Sequence, residues 1–378
     1  MNQLKLHAKR RLFVATVIGA TLAVAATAAT AGASPSAASR VTAHSGLTIA
    51  KAQLAPYTNK FPKFPITAKL NKRPPKTDTI IFLQCGASQC ATFGGYLATA
   101  AAALGVHFTV IPCGLFPAQA QAAAATALAD KPSAVIVAGT ALSNFGTSLK
   151  PIENAGIPII GIGTDNGPKY GLKATLGSNA TVTLAGQLMA DWVLIKKGTK
   201  ANVAFFATPQ LDFSTVMWTG FKTQLTKICP TCKVALQQIS VLSFGSSAPG
   251  QVVNYLRANP ATNTVVFAAD PAADGLPAAL KLASLSPTIF GWNPDSVGLA
   301  DVKAGTETGA LGLDTLTSCW QTIDILARIL TKQSFSINEE KAVLEVLIKT
   351  NVTSANVANG WTAYPNAAAL TEKLWPKA

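Results

Sequence analysis

Histidine and acidic residues are scarce in this chain of 378 residues. It contains 3 His and 17 Asp plus Glu, against 31 Lys plus Arg. Positioned His and carboxylate side chains are the usual general acids and bases of enzymes. The sequence also lacks the G-x-S-x-G, H-E-x-x-H and G-x-x-x-x-G-K-[ST] patterns, which mark nucleophile, zinc and phosphate sites. These absences argue against an enzyme, and we expect no cofactor and no metal site.

Aromatic residues and dense basic runs are also few. The formal net charge is +14, yet aromatics make up 7% of the chain and no Lys/Arg-rich run occurs. Nucleic-acid binding therefore fits poorly. On an exported protein, a basic surface fits contact with anionic envelope polymers or lipid headgroups better than it fits nucleic-acid binding. Alternatively, the charge only keeps the protein soluble.

The first 33 residues have the composition of a targeting segment. Lys5, Lys9, Arg10 and Arg11 precede an apolar run over 12–29, and an Ala-Gly-Ala sequence follows at 31–33. This order is typical of a cleaved signal peptide, and it predicts a protein that is secreted or held in the cell envelope. A membrane anchor that is retained is the alternative. No Cys stands directly after the apolar run, where a lipid would be attached, so a lipoprotein anchor is not supported.

Residues 34–76 are rich in Ser, Ala, Pro and Lys and show little periodicity. They are predicted to form a linker or a strap on the surface. The roughly 300 residues that remain exceed one ordinary hydrophobic core, so two lobes are expected.

Apolar, β-branched runs alternate with helical stretches from residue 79 onward. Residues 134–137 form one such run and 157–162 the next, with a short helix between them. A strand–helix–strand unit of this kind places its strands in parallel with a right-handed crossover. Repeated along the chain, it predicts an α/β fold of two doubly wound parallel-sheet lobes.

Three stretches in this order resemble one family. They read NAGIPIIGI at 154–162, VVFAADPAADGLPAAL at 265–280 and IFGWNPDSVGLADVKAGTETGALGLD at 289–314. They are similar to the type I periplasmic sugar-binding proteins, the solute receptors of ABC importers. The same fold forms the effector domain of lactose-repressor-like regulators. The resemblance extends over roughly residues 77–356.

The resemblance implies a three-segment hinge between the lobes. Crossings are expected near 163–164, 313–314 and 349–350. One lobe then holds residues 77–163 plus 314–348, and the other holds 164–313 plus 349–378. The ligand is expected between the lobes, at the carboxyl ends of the strands.

Pocket residues follow from the resemblance position by position. They are Gln84, Ser88, Gln89, Asn144, Thr164, Asp165, Phe213, Met217, Asp270, Trp292, Asn293 and Asp314. Core packing is the alternative for Trp292 and Phe213, and capping of the next turn is the alternative for Asp165.

Several family charges are replaced in this chain. Gly163 and Thr164 stand where related sugar receptors carry Asp-Arg, and Met217 stands in place of an Arg. Charged side chains make strong hydrogen bonds to sugar hydroxyls. The ligand is therefore expected to differ from a simple pentose.

The six cysteines suit an oxidising exterior. Cys229 and Cys232 are predicted to form a local disulfide, because the motif follows a helix instead of opening one. A helix N-terminus would be needed to activate a thiol oxidoreductase, which is the less favoured interpretation. A bridge among Cys85, Cys90 and Cys113 would fix the pocket rim, and the sequence leaves that pairing open.

Taken together, the sequence predicts an exported, monomeric receptor. It would capture a small polar, sugar-like molecule and deliver it to a membrane ABC permease, without contact to nucleic acid. The alternative is an envelope protein that uses the same fold to sense or to bind a partner. A transcription regulator is disfavoured by the signal segment and by the lack of DNA-binding helices.

Overall fold

The computed structural model describes residues 37–164, 167–336 and 340–377. The predicted signal peptide at 1–33 lies outside these ranges. Within them, no helix has both the length and the apolar character that crossing a membrane requires.

The described chain forms twelve α-helices, six short 3-10 helices and eleven strands. The strands are β1 (Thr79–Gln84), β2 (His107–Pro112), β3 (Ala134–Ala138), β4 (Ile159–Ile162), β5 (Ala174–Leu176), β6 (Asn202–Ala207), β7 (Lys233–Gln238), β8 (Thr264–Phe267), β9 (Thr288–Trp292), β10 (Gly309–Leu313) and β11 (Leu344–Leu347). The helices are α1 (Ala37–Leu54), α2 (Ser88–Leu104), α3 (Pro117–Ala129), α4 (Lys150–Asn154), α5 (Asn179–Lys197), α6 (Phe213–Ile228), α7 (Ala248–Ala258), α8 (Leu276–Leu282), α9 (Ser296–Ala304), α10 (Thr315–Leu330), α11 (Ser354–Asn359) and α12 (Ala367–Glu372).

The first lobe is built on a parallel sheet of five strands in the order β2-β1-β3-β4-β5. Its central strands are apolar along their whole length; all five residues of β3 are buried. Such runs are typical of strands covered by helices on both faces. One face packs against α2 and α10, and the other packs against α3 and the segment around Phe145.

The second lobe is built on a sheet of six strands in the order β11-β10-β9-β8-β6-β7. All neighbours are parallel except β11, which runs antiparallel to β10. Helices α1, α5 and α6 cover one face, where Trp192 stacks on Phe290 with ring centroids 4.0 Å apart. Two parallel-sheet α/β lobes were predicted, and the structure confirms that fold class.

The lobe boundaries differ from those predicted at two of three crossings. β5 adds to the first sheet beside β4, and the Gly163 amide donates to the Leu176 carbonyl at 2.8 Å. The chain therefore leaves the first lobe after residue 176, not at 163–164. After 313–314 the chain continues as α10, which packs on α2 of the first lobe. The return precedes β11, whose pairing with β10 places 344–347 in the second lobe.

The region predicted to be a linker begins as a helix. α1 packs on α5 and α6 of the second lobe, with Ala50 and Leu54 in the core. A strap without helix or strand then runs over residues 58–78 back to the first lobe. The Arg328 guanidinium of α10 donates to the Ala68 carbonyl at 2.5 Å and fastens the strap there.

The carboxyl-terminal segment also changes lobes. α11 packs on α9 of the second lobe, whereas α12 packs on α10 and α2 of the first. Trp375 stacks on Trp320 of α10, with ring centroids 5.7 Å apart, and its indole NH donates to Asp324 at 2.7 Å. The prediction that all of 349–378 lies in the second lobe is therefore wrong for α12 and the tail, because their apolar partners lie in the first.

Candidate functional site

A cavity lies between the two lobes, where strands of both sheets reach their carboxyl ends. The space in it that admits a water-sized molecule is about 50 Å³. The described lining residues are Cys85, Ala87, Gln89, Cys90, Phe93, Gly139, Ile162, Gly163, Leu176, Gly177, Thr181, Val182, Leu211, Phe213, Trp292, Asn293, Leu313, Ser318 and Ala342.

A disulfide shapes the first-lobe wall. Cys85 follows β1 and is bridged to Cys90 in the first turn of α2. Gly139, at φ +72°, lies against this bridge: a Cβ atom there would come within 2.9 Å of one sulfur and 3.0 Å of the other. Only glycine fits that position. The third nearby cysteine, Cys113, is a buried thiol, and burial raises its pKa to about 12.

The second-lobe wall comes from the end of β9 and the start of α6. Trp292 is 5% exposed, and the following Asn293 adopts φ +54°, with its amide donating to the Leu311 carbonyl at 2.8 Å. Asn is among the residues that best tolerate this left-handed conformation. Phe213, the first residue of α6, also faces the cavity.

The lobes touch each other directly around the cavity. The Gln89 side-chain amide donates to the main-chain carbonyl of Asn293 at 2.5 Å. Thr140 and Leu211 form a β-bridge between the lobes. A buried apolar cluster contains Cys85, Cys90 and Leu115 of the first lobe with Leu211 and Ala269 of the second. The structure is therefore in a closed arrangement, sealed partly by apolar contacts.

The polar lining is sparse and uncharged. Apart from the Trp292 indole NH, the polar side chains among the described lining residues are Gln89, Thr181, Asn293 and Ser318, and none is ionisable. Ser318 lies in the second turn of α10, is 1% exposed, and its hydroxyl has no protein partner. Buried hydroxyl groups are nearly always hydrogen-bonded. The Ser318 hydroxyl is thus available to a molecule in the cavity.

Of the predicted site residues, the structure brings Gln89, Phe213, Trp292 and Asn293 together in the cavity. Three others lie elsewhere. Gln84 lines a surface groove of the first lobe, and Thr164 lines a separate groove near Tyr57. The Asn144 side chain donates to the Leu115 carbonyl at 3.0 Å and so holds a loop together.

Two further predicted residues have structural roles. Met217 is fully buried in the second-lobe core, where α5 and α6 are in close contact. Asp314 caps the amino terminus of α10: its carboxylate accepts from the Thr317 amide at 2.9 Å, the Thr317 hydroxyl, the Thr362 hydroxyl and the Ala363 amide. Its oxygens are therefore occupied. Asp165 and the side chain of Ser88 lie outside the described residues.

Asp270 is enclosed within the second lobe instead of facing the cavity. A Cβ atom at Gly291 or Gly298 would lie 1.6 or 1.9 Å from its carboxyl oxygens, so these two glycines make room for the group. Burial raises the pKa of Asp270 to about 8. Burial and the Asp270 charge raise the pKa of Glu307 well above its usual range. Both carboxyl groups therefore keep their protons to a higher pH than exposed acids do.

Phe93, Thr181 and Ser318 are among the cavity residues that were not predicted from the sequence. Helix α2 begins at Ser88 and includes Phe93. With that start, Phe93 falls four residues after Gln89 and on the same face. Thr181 and Ser318 are small polar residues on long helices, and no sequence signal separates them from ordinary helix positions.

Comparison with known proteins connects this geometry to one family. The model of the periplasmic binding protein domain matches residues 86–334. None of the curated proteins compared with the chain matches it significantly.

Several solved structures share the fold. A periplasmic solute-binding protein of an Actinobacillus succinogenes ABC transporter, with bound D-allose, is 21% identical; the match covers 75% of this chain and 100% of that one, with a TM-score of 0.63. The glucose-galactose binding protein GanP of Geobacillus stearothermophilus is 16% identical, with coverage of 73% and 99% and a TM-score of 0.64. A structure described as the XylFII-LytSN complex is 16% identical, with coverage of 74% and 100% and a TM-score of 0.63.

Proposed function

The chain belongs to the family of periplasmic binding protein domains, and from this premise we propose that it is an exported solute-binding receptor. It would act as a monomer, capture a small molecule between its lobes and deliver it to a membrane ABC permease. The cavity walled by both lobes is the observation that carries the proposal. The sugar bound to the Actinobacillus protein supports a small-molecule ligand for this fold.

Closure would couple binding to delivery. A ligand that touches both lobes favours the closed state, because only there are both sets of contacts made. Gln89 contributes from the first lobe, and Trp292 and Asn293 contribute from the second. A permease that recognises the closed arrangement would then engage only the loaded receptor.

A retained ligand tests this proposal. Native mass spectrometry of freshly purified protein should show a bound small molecule. After the molecule is stripped by unfolding and refolding with the disulfides intact, adding it back should reduce the radius of gyration in solution scattering. It should also change tryptophan fluorescence, since Trp292 lines the cavity. Freshly purified protein that retains no small molecule would contradict the proposal.

Sensing is a second candidate function. One structure with this fold was solved as the XylFII-LytSN complex, and apolar side chains are exposed beside the interlobe contact: Phe116 follows Leu115, and Leu242, which is 73% exposed, follows Val241. Uptake of the retained molecule by cells that lack this protein separates the two functions. Lost uptake supports delivery to a permease, whereas unchanged uptake with a lost cellular response supports sensing.

A further inference from the structure

We propose that the cavity takes a neutral ligand with a large apolar surface and few hydrogen-bonding groups, such as an aromatic or alicyclic alcohol. A polyhydroxylated monosaccharide does not fit this description. The inference rests on the proposed receptor function, because it assigns a ligand class to the same cavity. It also changes the expectation from the sequence, which was a small polar, sugar-like molecule.

The walls are the first observation. Three aromatic side chains reach the cavity from separate elements: Phe93 from α2, Phe213 from α6 and Trp292 from β9. Leu176, Leu211 and Leu313 fill the surface between them. The apolar walls therefore belong to both lobes, and a ligand in this space loses its water on several sides at once. Such a site favours a ligand whose own surface is apolar.

The polar groups are the second observation: they are few, and some of them are already engaged. The Gln89 amide nitrogen donates to Asn293 across the lobes. Two main-chain amides at the floor are used within the first lobe, since Gly139 donates to Ile162 and Gly163 donates to Leu176. The Ser318 hydroxyl, by contrast, is buried without a protein partner. The site can thus satisfy a small number of ligand hydrogen bonds.

Charge is the third observation. No ionisable side chain lines the cavity in the described part of the chain. Of the three acids predicted for the site, Asp314 caps α10 and Asp270 is buried against Gly291 and Gly298, while Asp165 lies outside the described residues. A charged ligand would lose its hydration without a partner of opposite charge. Each sugar hydroxyl left unpaired would likewise weaken binding by roughly tenfold.

Matched probes test the ligand class. Calorimetry on the mature, ligand-stripped chain would compare benzyl alcohol with benzoate, which keeps the ring but adds a charge, and with D-galactose, which replaces the ring by a polyol. We expect benzyl alcohol to bind at least about tenfold more tightly than either. Phe213→Ala should weaken benzyl alcohol by about tenfold, since it removes an aromatic wall.

Phe116→Ala is the matched control, because this exposed phenylalanine does not line the cavity. It should leave the affinity unchanged. If Phe213→Ala fails to fold, Ser318→Ala provides a second measurement: it should weaken benzyl alcohol but not toluene, which has no hydroxyl.

Each outcome has a defined meaning. Tighter binding of D-galactose or benzoate overturns the ligand class and leaves the receptor proposal intact. Failure of all three probes overturns the ligand class as well, whereas the receptor proposal is overturned separately, by the absence of any retained molecule in native mass spectrometry.

Discussion

The carboxyl group of Asp270 predicts a dependence of stability on pH. Its pKa in the folded protein is raised to about 8 by burial, so the folded state keeps a proton that the unfolded chain releases near its ordinary pKa of about 4. Stability should therefore fall as pH rises from about 4 toward 8. Asp270→Asn, which resembles the protonated acid, should make this fall shallower and raise stability at pH 8.

Urea denaturation at pH 5 and pH 8 measures the effect. Asp130→Asn is a suitable control, because Asp130 is exposed. An Asp270→Asn variant that loses as much stability between the two pH values as the wild type would contradict the prediction.

The Gln89 amide predicts a contribution to closure. Its hydrogen bond to Asn293 joins the lobes in the closed arrangement, and a hydrogen bond typically contributes ~0.5–1.5 kcal/mol. Gln89→Ala should weaken the retained ligand by about two- to tenfold in calorimetry while the urea midpoint stays unchanged. Gln251→Ala, on the exposed surface of α7, should change neither. An unaltered ligand affinity in Gln89→Ala would remove this residue from the closing contact.

Individual site residues were predictable where they follow a strand end directly. Trp292 ends β9 and Asn293 follows it, and parallel strands of one sheet present their carboxyl ends at one edge. Met217 was not predictable in this way, because its direction depends on how α6 rotates against α5. Asp314 carries a signal that was overlooked: an acid three residues before Thr317 at a helix start is typical of an N-cap.

Trp375 predicts the importance of the tail for the first lobe. Its ring stacks on Trp320, lies under the Arg73 guanidinium at 5.9 Å and donates to the buried Asp324. Trp375→Ala should lower the free energy of unfolding by ~3–5 kcal/mol, measured by chemical denaturation. Trp375→Phe keeps a ring but loses the hydrogen bond, so its free energy of unfolding should lie between those of the wild type and Trp375→Ala. An unchanged free energy of unfolding in Trp375→Ala would show that the tail does not stabilise the first lobe.

The disulfide after α6 was predicted from its spacing, and the structure confirms the pairing of Cys229 with Cys232. Because the pair follows the end of the helix, no helix amino terminus activates either thiol. Peptide mapping without reduction should find both cysteines in one linked peptide. Two free thiols, or turnover in a thiol-exchange assay, would contradict a structural role.

The elements that the sequence predicted poorly are those set by tertiary contacts. β5 has only three residues, too few for a period, and joins the first sheet by pairing with β4. α1 contains Gly46, which lies against the Ile228 backbone and lets the helix approach α6 closely. Glycine lowers the helical propensity of a segment. Gly46 therefore allows α1 to pack closely on α6 and at the same time makes the helix harder to predict from the sequence.

Export is a property of the whole chain, and its signal lies outside the described residues. The basic start, the apolar run and Ala31-Gly32-Ala33 predict cleavage there. Amino-terminal sequencing of the protein recovered from outside the producing cells should begin near Ser34. Recovery of full-length protein from the cytosol would rule out this prediction.

At the scale of the whole molecule, the two-lobe architecture was predictable from the sequence. The number of times that the chain passes from one lobe to the other was not. The alternation of strands and helices indicated two sheets, but the strap over 58–78 and the tail beyond 360 add passages between the lobes. These segments have little regular structure, so their course depends on partners distant in the sequence. Leu70 and Leu374, for example, share a main-chain hydrogen bond of 2.8 Å.

The crossing of the tail has a consequence for the order in which the protein can be assembled during synthesis. Domains generally fold from the amino terminus as the ribosome releases them. Here β1 is made early, yet the core around it needs α10 and Trp375, which are among the last parts to emerge. α1 likewise waits for α5 and α6. Neither lobe has all of its packing partners until nearly the whole chain has been made, so we expect an exported protein of this kind to complete both cores only after it has crossed the membrane.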